Sequence, residues 1–140
     1  TYEIKPKMIE LEITESVLME EPETSKQTIE KLVAYGFKIA IDDFGKGYSS
    51  LAYLSQFSIH TIKVDRFFTK QIMINETSLA IVRATIQMAM ALGYEVLAEG
   101  IEDQKQADLL ESLGCHSAQG YYFLRPKPEA DVLSYLKLNQ

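Results

Sequence analysis

The 140 residues include no tryptophan, four prolines and a single cysteine, Cys115. One cysteine cannot form an internal disulfide, which points to a reducing compartment and a cytoplasmic location. No apolar run approaches the ~18 residues that a membrane-spanning helix needs. The opening stretch, Thr1 to Lys7, is polar and no apolar segment follows it, so a signal peptide is not expected. Direct membrane contact is not expected either. Basic residues are outnumbered: 14 Lys and Arg stand against 20 Asp and Glu, a net charge of −6. A binder of polymeric nucleic acid needs a basic face, so that class is excluded. A small phosphate ligand is not, because a bound cation can invert the local field. Linkers and low-complexity segments are lacking as well, and the length suits one domain.

What remains is a regular alternation. Apolar, β-branched runs at Met8–Ile13, Phe37–Ile41, Thr61–Val64, Glu95–Ala98 and His116–Ala118 read as strands. Helical spacing lies between most of them. It runs through Thr28, Ile29, Leu32 and Val33, then Ile81, Thr85, Met88 and Leu92, then Leu109, Leu110 and Leu113. A last helix over Val132, Leu133 and Leu136 follows Pro128, which suits a first helical turn. Gly36, Gly93 and Gly114 each stand where a helix must close before a strand. Strands separated by helices are normally parallel with right-handed crossovers, and their apolar character suggests that both faces are covered. Five such strands fit an open doubly wound sheet or part of a β/α barrel. Polar residues gather at the strand ends (Glu12, Asp42 and Asp43, Asp65, Glu99, Gln119), where both architectures bind ligands. Convergence of so many acids on one mouth favours the barrel: an α/β fold, TIM-like, with about five βα units, short of the full eight.

The chemistry sits in five stretches. Asp42 and Asp43 end an apolar strand before a loop with two glycines, Gly45 and Gly47. Oxygen-rich negative sites select hard divalent cations, although such a pair also fits a solvated turn with an acid capping the next helix. Glu12 lies inside an apolar run, where a metal or a lysine would relieve the cost of a buried carboxylate. Lys63 stands in a β-branched strand. It could orient water or stabilise an oxyanion, or form a structural ion pair with Asp65. Glu99 ends a strand before Gly100 and could be a metal ligand or a general base. Glu102 falls where its plain role is to favour a helix dipole. Gln119, followed by Tyr121, Tyr122, Phe123 and Pro126, reads as a pocket wall. His60 and His116 lack metal-ligand spacing, and Met73, Met88 and Met90 read as packing residues.

Together these stretches resemble the EAL family of cyclic di-GMP phosphodiesterases: LEITES at 11–16, IDDFGKGYSSL at 41–51, IKVD at 62–65, AEGIE at 98–102 and QGYYF at 119–123, in the family's order. The resemblance implies a β/α barrel with two Mg²⁺ or Mn²⁺ ions. Glu12, Asp42 and Asp43 match metal ligands, with Asp42 bridging, and Asp65 supports the metal site. Lys63 matches the lysine that holds the attacking water or the phosphate, and Glu99 the metal-linked acid assigned as general base. Glu102 matches the anchor of the loop after Asp43. Gln119 and Pro126 match substrate-side positions. The implied reaction opens cyclic di-GMP to linear pGpG. The alternative is a degenerate, non-catalytic receptor or interaction module.

Two departures accompany the resemblance. The Glu-Ala-Leu motif and the asparagine of the following strand are absent from these 140 residues. Position 46 is lysine where the loop usually carries threonine. Residues 1–140 are therefore expected to be the C-terminal part of one EAL barrel. Alone they should be poorly active and should associate through open edges or as a homodimer.

Overall fold

A computed structural model of the chain describes residues 3–47 and 51–138. In chain order the elements are β1 (Glu10–Thr14), α1 (Glu15–Glu20), α2 (Pro22–Ala34), β2 (Lys38–Phe44), α3 (Leu51–Leu54), β3 (Thr61–Val64), α4 (Arg66–Thr69), α5 (Glu76–Leu92), β4 (Glu95–Ala98), α6 (Gln104–Ser112), β5 (Ser117–Ala118) and α7 (Glu129–Leu138). The strands form one sheet in the order β1-β2-β3-β4-β5, every pair parallel. Spatial order thus equals chain order, as in a singly wound β/α arc. The glycine stops behave as their positions suggest: Gly36, Gly93 and Gly114 take φ values of 98°, 77° and 94°, the left-handed region that ends a helix and turns the chain into the next strand.

Strand limits differ from the sequence reading in two informative places. Met8 belongs to a 3₁₀ turn, Pro6–Met8, rather than to β1. Pro6 has no N–H for a ladder and its fixed φ suits a turn, so pairing begins only at Glu10. At the other end, β2 runs through Phe44, so Asp42 and Asp43 lie inside the strand rather than just past it.

The strands are also less uniformly apolar than expected. The register aligns Glu12 with Ala40 and Ala40 with Thr61, and Thr61 with Glu95. Directly paired residues share a face, so Glu10, Glu12, Lys38, Ala40, Asp42, Thr61, Lys63 and Glu95 lie on one side. On that side the Thr61 hydroxyl donates to Glu10 Oε2 at 2.7 Å. The alternate positions form the opposite face and the core. Ile39, Ile41, Ile62, Val64, Val96 and Ala98 are buried there against the helices. In α5 the buried stripe is Ser78, Val82, Thr85, Ile86 and Ala89. Ile81 and Met88, which the spacing placed at its centre, flank it half-buried. One apolar face packed on helices and one polar face turned inward is the pattern of a barrel wall whose interior carries chemistry.

Candidate active site

At the C-terminal ends of the strands, β2 breaks its register. Ile41 pairs with Ile62 and Phe44 with Val64, so two residues of β2 oppose Lys63 alone. This is a β-bulge. Within it Asp43 takes φ 57°, unusual for a residue other than glycine. Its N–H donates to Asp42 Oδ1 at 2.9 Å. The bulge lets two consecutive acids serve two different partners at one rim, which a regular strand would forbid by pointing them to opposite faces.

The first partner is Lys63. Its side chain is 8% exposed, and its ammonium lies 2.6 Å from Glu12 Oε1, 2.9 Å from Glu99 Oε1 and 3.4 Å from Asp42 Oδ1. Three carboxylates from β1, from β2 and from the end of β4 thus converge on one buried cation. Ala40, too small to intervene, lies beside Glu12 in the register. Burial alone would depress the Lys63 ammonium; the hydrogen bonds to Glu12 and Glu99 and the fields of Glu99 and Asp42 outweigh it and hold the pKa well above the ordinary lysine range. Gln119, just past β5, donates through Nε2 to the same Glu99 oxygen at 2.8 Å. The pairing of Lys63 with Asp65, one of the two readings of that strand, is not found.

Asp65 belongs to the second group. Its Oδ1 accepts from the Phe67 N–H at 2.7 Å and caps α4. Its Oδ2 meets the Lys46 ammonium at 2.9 Å, and the same ammonium reaches Asp43 Oδ1 at 3.1 Å. Burial would raise the Asp65 carboxyl, but the hydrogen bonds from Lys46 and the Phe67 amide and the charge of Lys46 bring it below the usual aspartate range. The same two carboxylates raise Lys46.

Five carboxylates against two ammonium groups leave this cluster three negative charges in excess. Among the described residues, no three acids stand close enough to enclose an ion by themselves. Each is drawn instead onto a lysine. The donor chemistry nevertheless fits a hard divalent ion: the oxygens are all carboxylate, Glu12 is about half exposed, and among the described residues the second oxygens of Glu12 and Asp42 accept no hydrogen bond.

The loop after β2 is held by a residue that the sequence reading passed over. Glu15, the first residue of α1, is 3% exposed. Its Oε2 accepts from the Gly45 N–H at 3.1 Å and the Gly47 N–H at 3.0 Å. A Cβ on Gly47 would lie 2.7 Å from that carboxylate, so any side chain there would have to push Glu15 aside. Glu102, the expected anchor, lies elsewhere. Among the described residues it pairs with Lys70 at 2.7 Å while Glu15 holds the loop. Tyr48, Ser49 and Ser50, part of the motif at 41–51, lie outside the described residues.

The mouth opens into a cleft of about 750 Å³ bordered by Asp43, Asp65, Glu99, Glu102, Gln119 and Pro126. Arg66, Lys70, Arg125 and Lys127 also border it, four cations beside its four carboxylates, so the phosphates of an anionic ligand would find positive partners there. The Arg125 guanidinium lies 4.5 Å from the Tyr121 ring centre.

With this geometry in view, comparison with known proteins is decisive. The family model described as EAL domain matches residues 1–126. The chain belongs to the EAL domain family. It is 39% identical over 134 residues to the cyclic di-GMP phosphodiesterase RocR of Pseudomonas aeruginosa, covering 96% of this chain and 34% of that protein. Its fold matches the PaMucR phosphodiesterase in complex with c-di-GMP at a TM-score of 0.90 and 38% identity, covering 92% of this chain and 52% of the other. It also matches the manganese and c-di-GMP complex of Klebsiella pneumoniae BlrP1 at 0.77 and 35%, over 84% of this chain and 30% of the other. The chain spans between 16% and 34% of the length of the curated relatives it matches. The α/β architecture read from the strand and helix alternation is that of EAL domain structures, and the five-stranded parallel sheet is consistent with part of their barrel.

Against this EAL frame, several features lay beyond sequence reasoning. Glu15 follows Thr14, which caps α1 through its hydroxyl, and reads in sequence as an ordinary acid in a first helical turn. Nothing local announces that it is buried. The cationic border of the cleft comes from segments far apart in the chain, so no single motif displays it.

Proposed function

We propose that residues 1–140 are the C-terminal part of one EAL barrel that hydrolyses cyclic di-GMP to linear pGpG with Mg²⁺ or Mn²⁺. The observation that carries this reading is the convergence of Glu12, Asp42 and Glu99 on the buried Lys63 ammonium at a cleft bordered by cations. Glu12, Asp42 and Asp43 would hold the metal, with Asp65 in support. When bound, the metal supplies charge neutralisation at the phosphodiester and a more acidic water. Lys63 donates to the attacking water or a phosphate oxygen, where its strong preference for the charged form keeps a fixed positive charge opposite the charge that develops. Glu99 takes the water's proton through a carboxylate already oriented by Gln119 and Lys63. The water oxygen bonds to phosphorus, the bond from phosphorus to the ribose 3′ oxygen breaks, and that oxygen leaves with a proton. Arg66, Lys70, Arg125 and Lys127 would receive the ligand's phosphates, with Gln119 and Pro126 along its path. Glu102 shapes the cleft through Lys70 rather than through the β2 loop.

The test follows pGpG formation by chromatography, using this segment within a complete EAL domain and the 140-residue chain alone. The complete domain should turn over only with a divalent ion, and the chain alone should show little or no product. In the complete domain, Asp42→Asn and Glu99→Gln should each lower turnover by at least ~10²-fold. Metal-independent turnover, or an Asp42→Asn variant as active as its parent, would refute this mechanism. Tight c-di-GMP binding without turnover in the complete domain would instead establish the receptor alternative.

A further inference from the structure

The two lysines at the mouth are not equivalent. Lys63 sits within β3, nearly buried, and its stem is fixed by the strand. Lys46 lies on the loop two residues beyond β2. Its side chain is 50% exposed, yet its ammonium is placed between Asp43 and Asp65, the latter 5% exposed. These carboxylates come from β2 and from the end of β3 and are brought together by the bulge and by the left-handed Asp43. Asp65 has committed Oδ1 to the α4 cap, so only Oδ2 faces outward to a cation. Two like charges held this closely need a positive charge between them. In this structure a half-exposed, flexible side chain provides it from solvent-accessible space.

We propose that Lys46 is a displaceable internal counter-ion: its ammonium occupies the Asp43–Asp65 pair until a divalent cation enters and must leave when it does, so residue 46 sets the affinity of the mouth for metal. This rests on the reading of Asp43 as a metal ligand given above. A lysine here would make metal loading a competition within the protein, with the side chain of Lys46 released each time a cation displaces its ammonium.

The test uses Mn²⁺ with the 140-residue chain and needs no substrate. Free Mn²⁺ is titrated by its paramagnetic resonance signal against the parent, Lys46→Met and Lys46→Arg. In parallel, acylation of the Lys46 amine in the parent is timed by peptide mass spectrometry, with and without Mn²⁺. Lys46→Met, which removes the competing charge but keeps the length, should bind Mn²⁺ about tenfold more tightly, the scale of effects that neighbours exert on metal ligands. Lys46→Arg should stay close to the parent. Mn²⁺ should speed acylation of Lys46, because an amine no longer held between two carboxylates is open to the reagent. Equal Mn²⁺ affinity in the parent and Lys46→Met, or acylation unmoved by bound Mn²⁺, would overturn the counter-ion role while leaving the metal reading intact. Failure of every protein to bind Mn²⁺ would overturn both, since Asp43 would then hold no metal in this chain. The acylation arm uses the parent alone and decides the matter even if a variant misfolds.

Discussion

At the scale of single residues, the site is a problem of charge. Lys63 places one positive charge among three carboxylates that would otherwise face one another in a partly buried space. Replacing it by the apolar Lys63→Met should cost about 2–3 kcal/mol, below the usual range for a fully buried pair because Glu12 is half exposed. Millimolar Mg²⁺ should then raise the urea midpoint of the variant more than that of the parent, because a cation would take the place of the missing ammonium. A midpoint equal to the parent's, with or without Mg²⁺, would show that the three acids do not depend on Lys63. The identity of these residues was legible in the sequence, because acids and a lysine inside apolar strands are costly unless paired. Their pairing was not. Asp65 and Lys63 are neighbours in the motif yet face different partners, since Asp65 lies past the end of β3 and turns to cap α4.

At the scale of elements, the decisive feature is the link between α1 and the loop after β2. One buried carboxylate oxygen, on Glu15, accepts from two glycine amides thirty and thirty-two residues away. Glu15→Ala leaves both N–H groups without that acceptor and should destabilise the protein by about 1–3 kcal/mol. The loss should be local: amide hydrogen exchange at Gly45 and Gly47 should speed up while the central amides of β3 remain protected. Glu15→Gln keeps an acceptor oxygen and should fall between the two. Exchange unchanged in Glu15→Ala would remove the anchoring role. Helices with glycine stops and strands with β-branched runs were legible because each rests on local rules, periodicity and left-handed closure. The short α3 and α4 were not, having too few residues to show a period. Nor was the β2 bulge, because an extra residue exists only relative to a partner strand.

At the scale of the whole molecule, the sheet has two edges, β1 and β5, and α7 buries none of its residues, leaving Leu133, Leu136 and Leu138 exposed. Open parallel edges and uncovered apolar surface favour association. Light scattering on the 140-residue chain should therefore give a mass that rises with concentration above 15.9 kDa. A constant monomeric mass would count against association through these surfaces. The order of the strands carries a consequence for how such a chain comes into being. Because each strand lies beside the one that precedes it in the sequence, every new strand leaving the ribosome finds its partner already made. The wall can therefore grow in one direction during synthesis, unit upon unit, with closure of the catalytic mouth deferred to the arrival of the later rim residues, Glu99 and then Gln119.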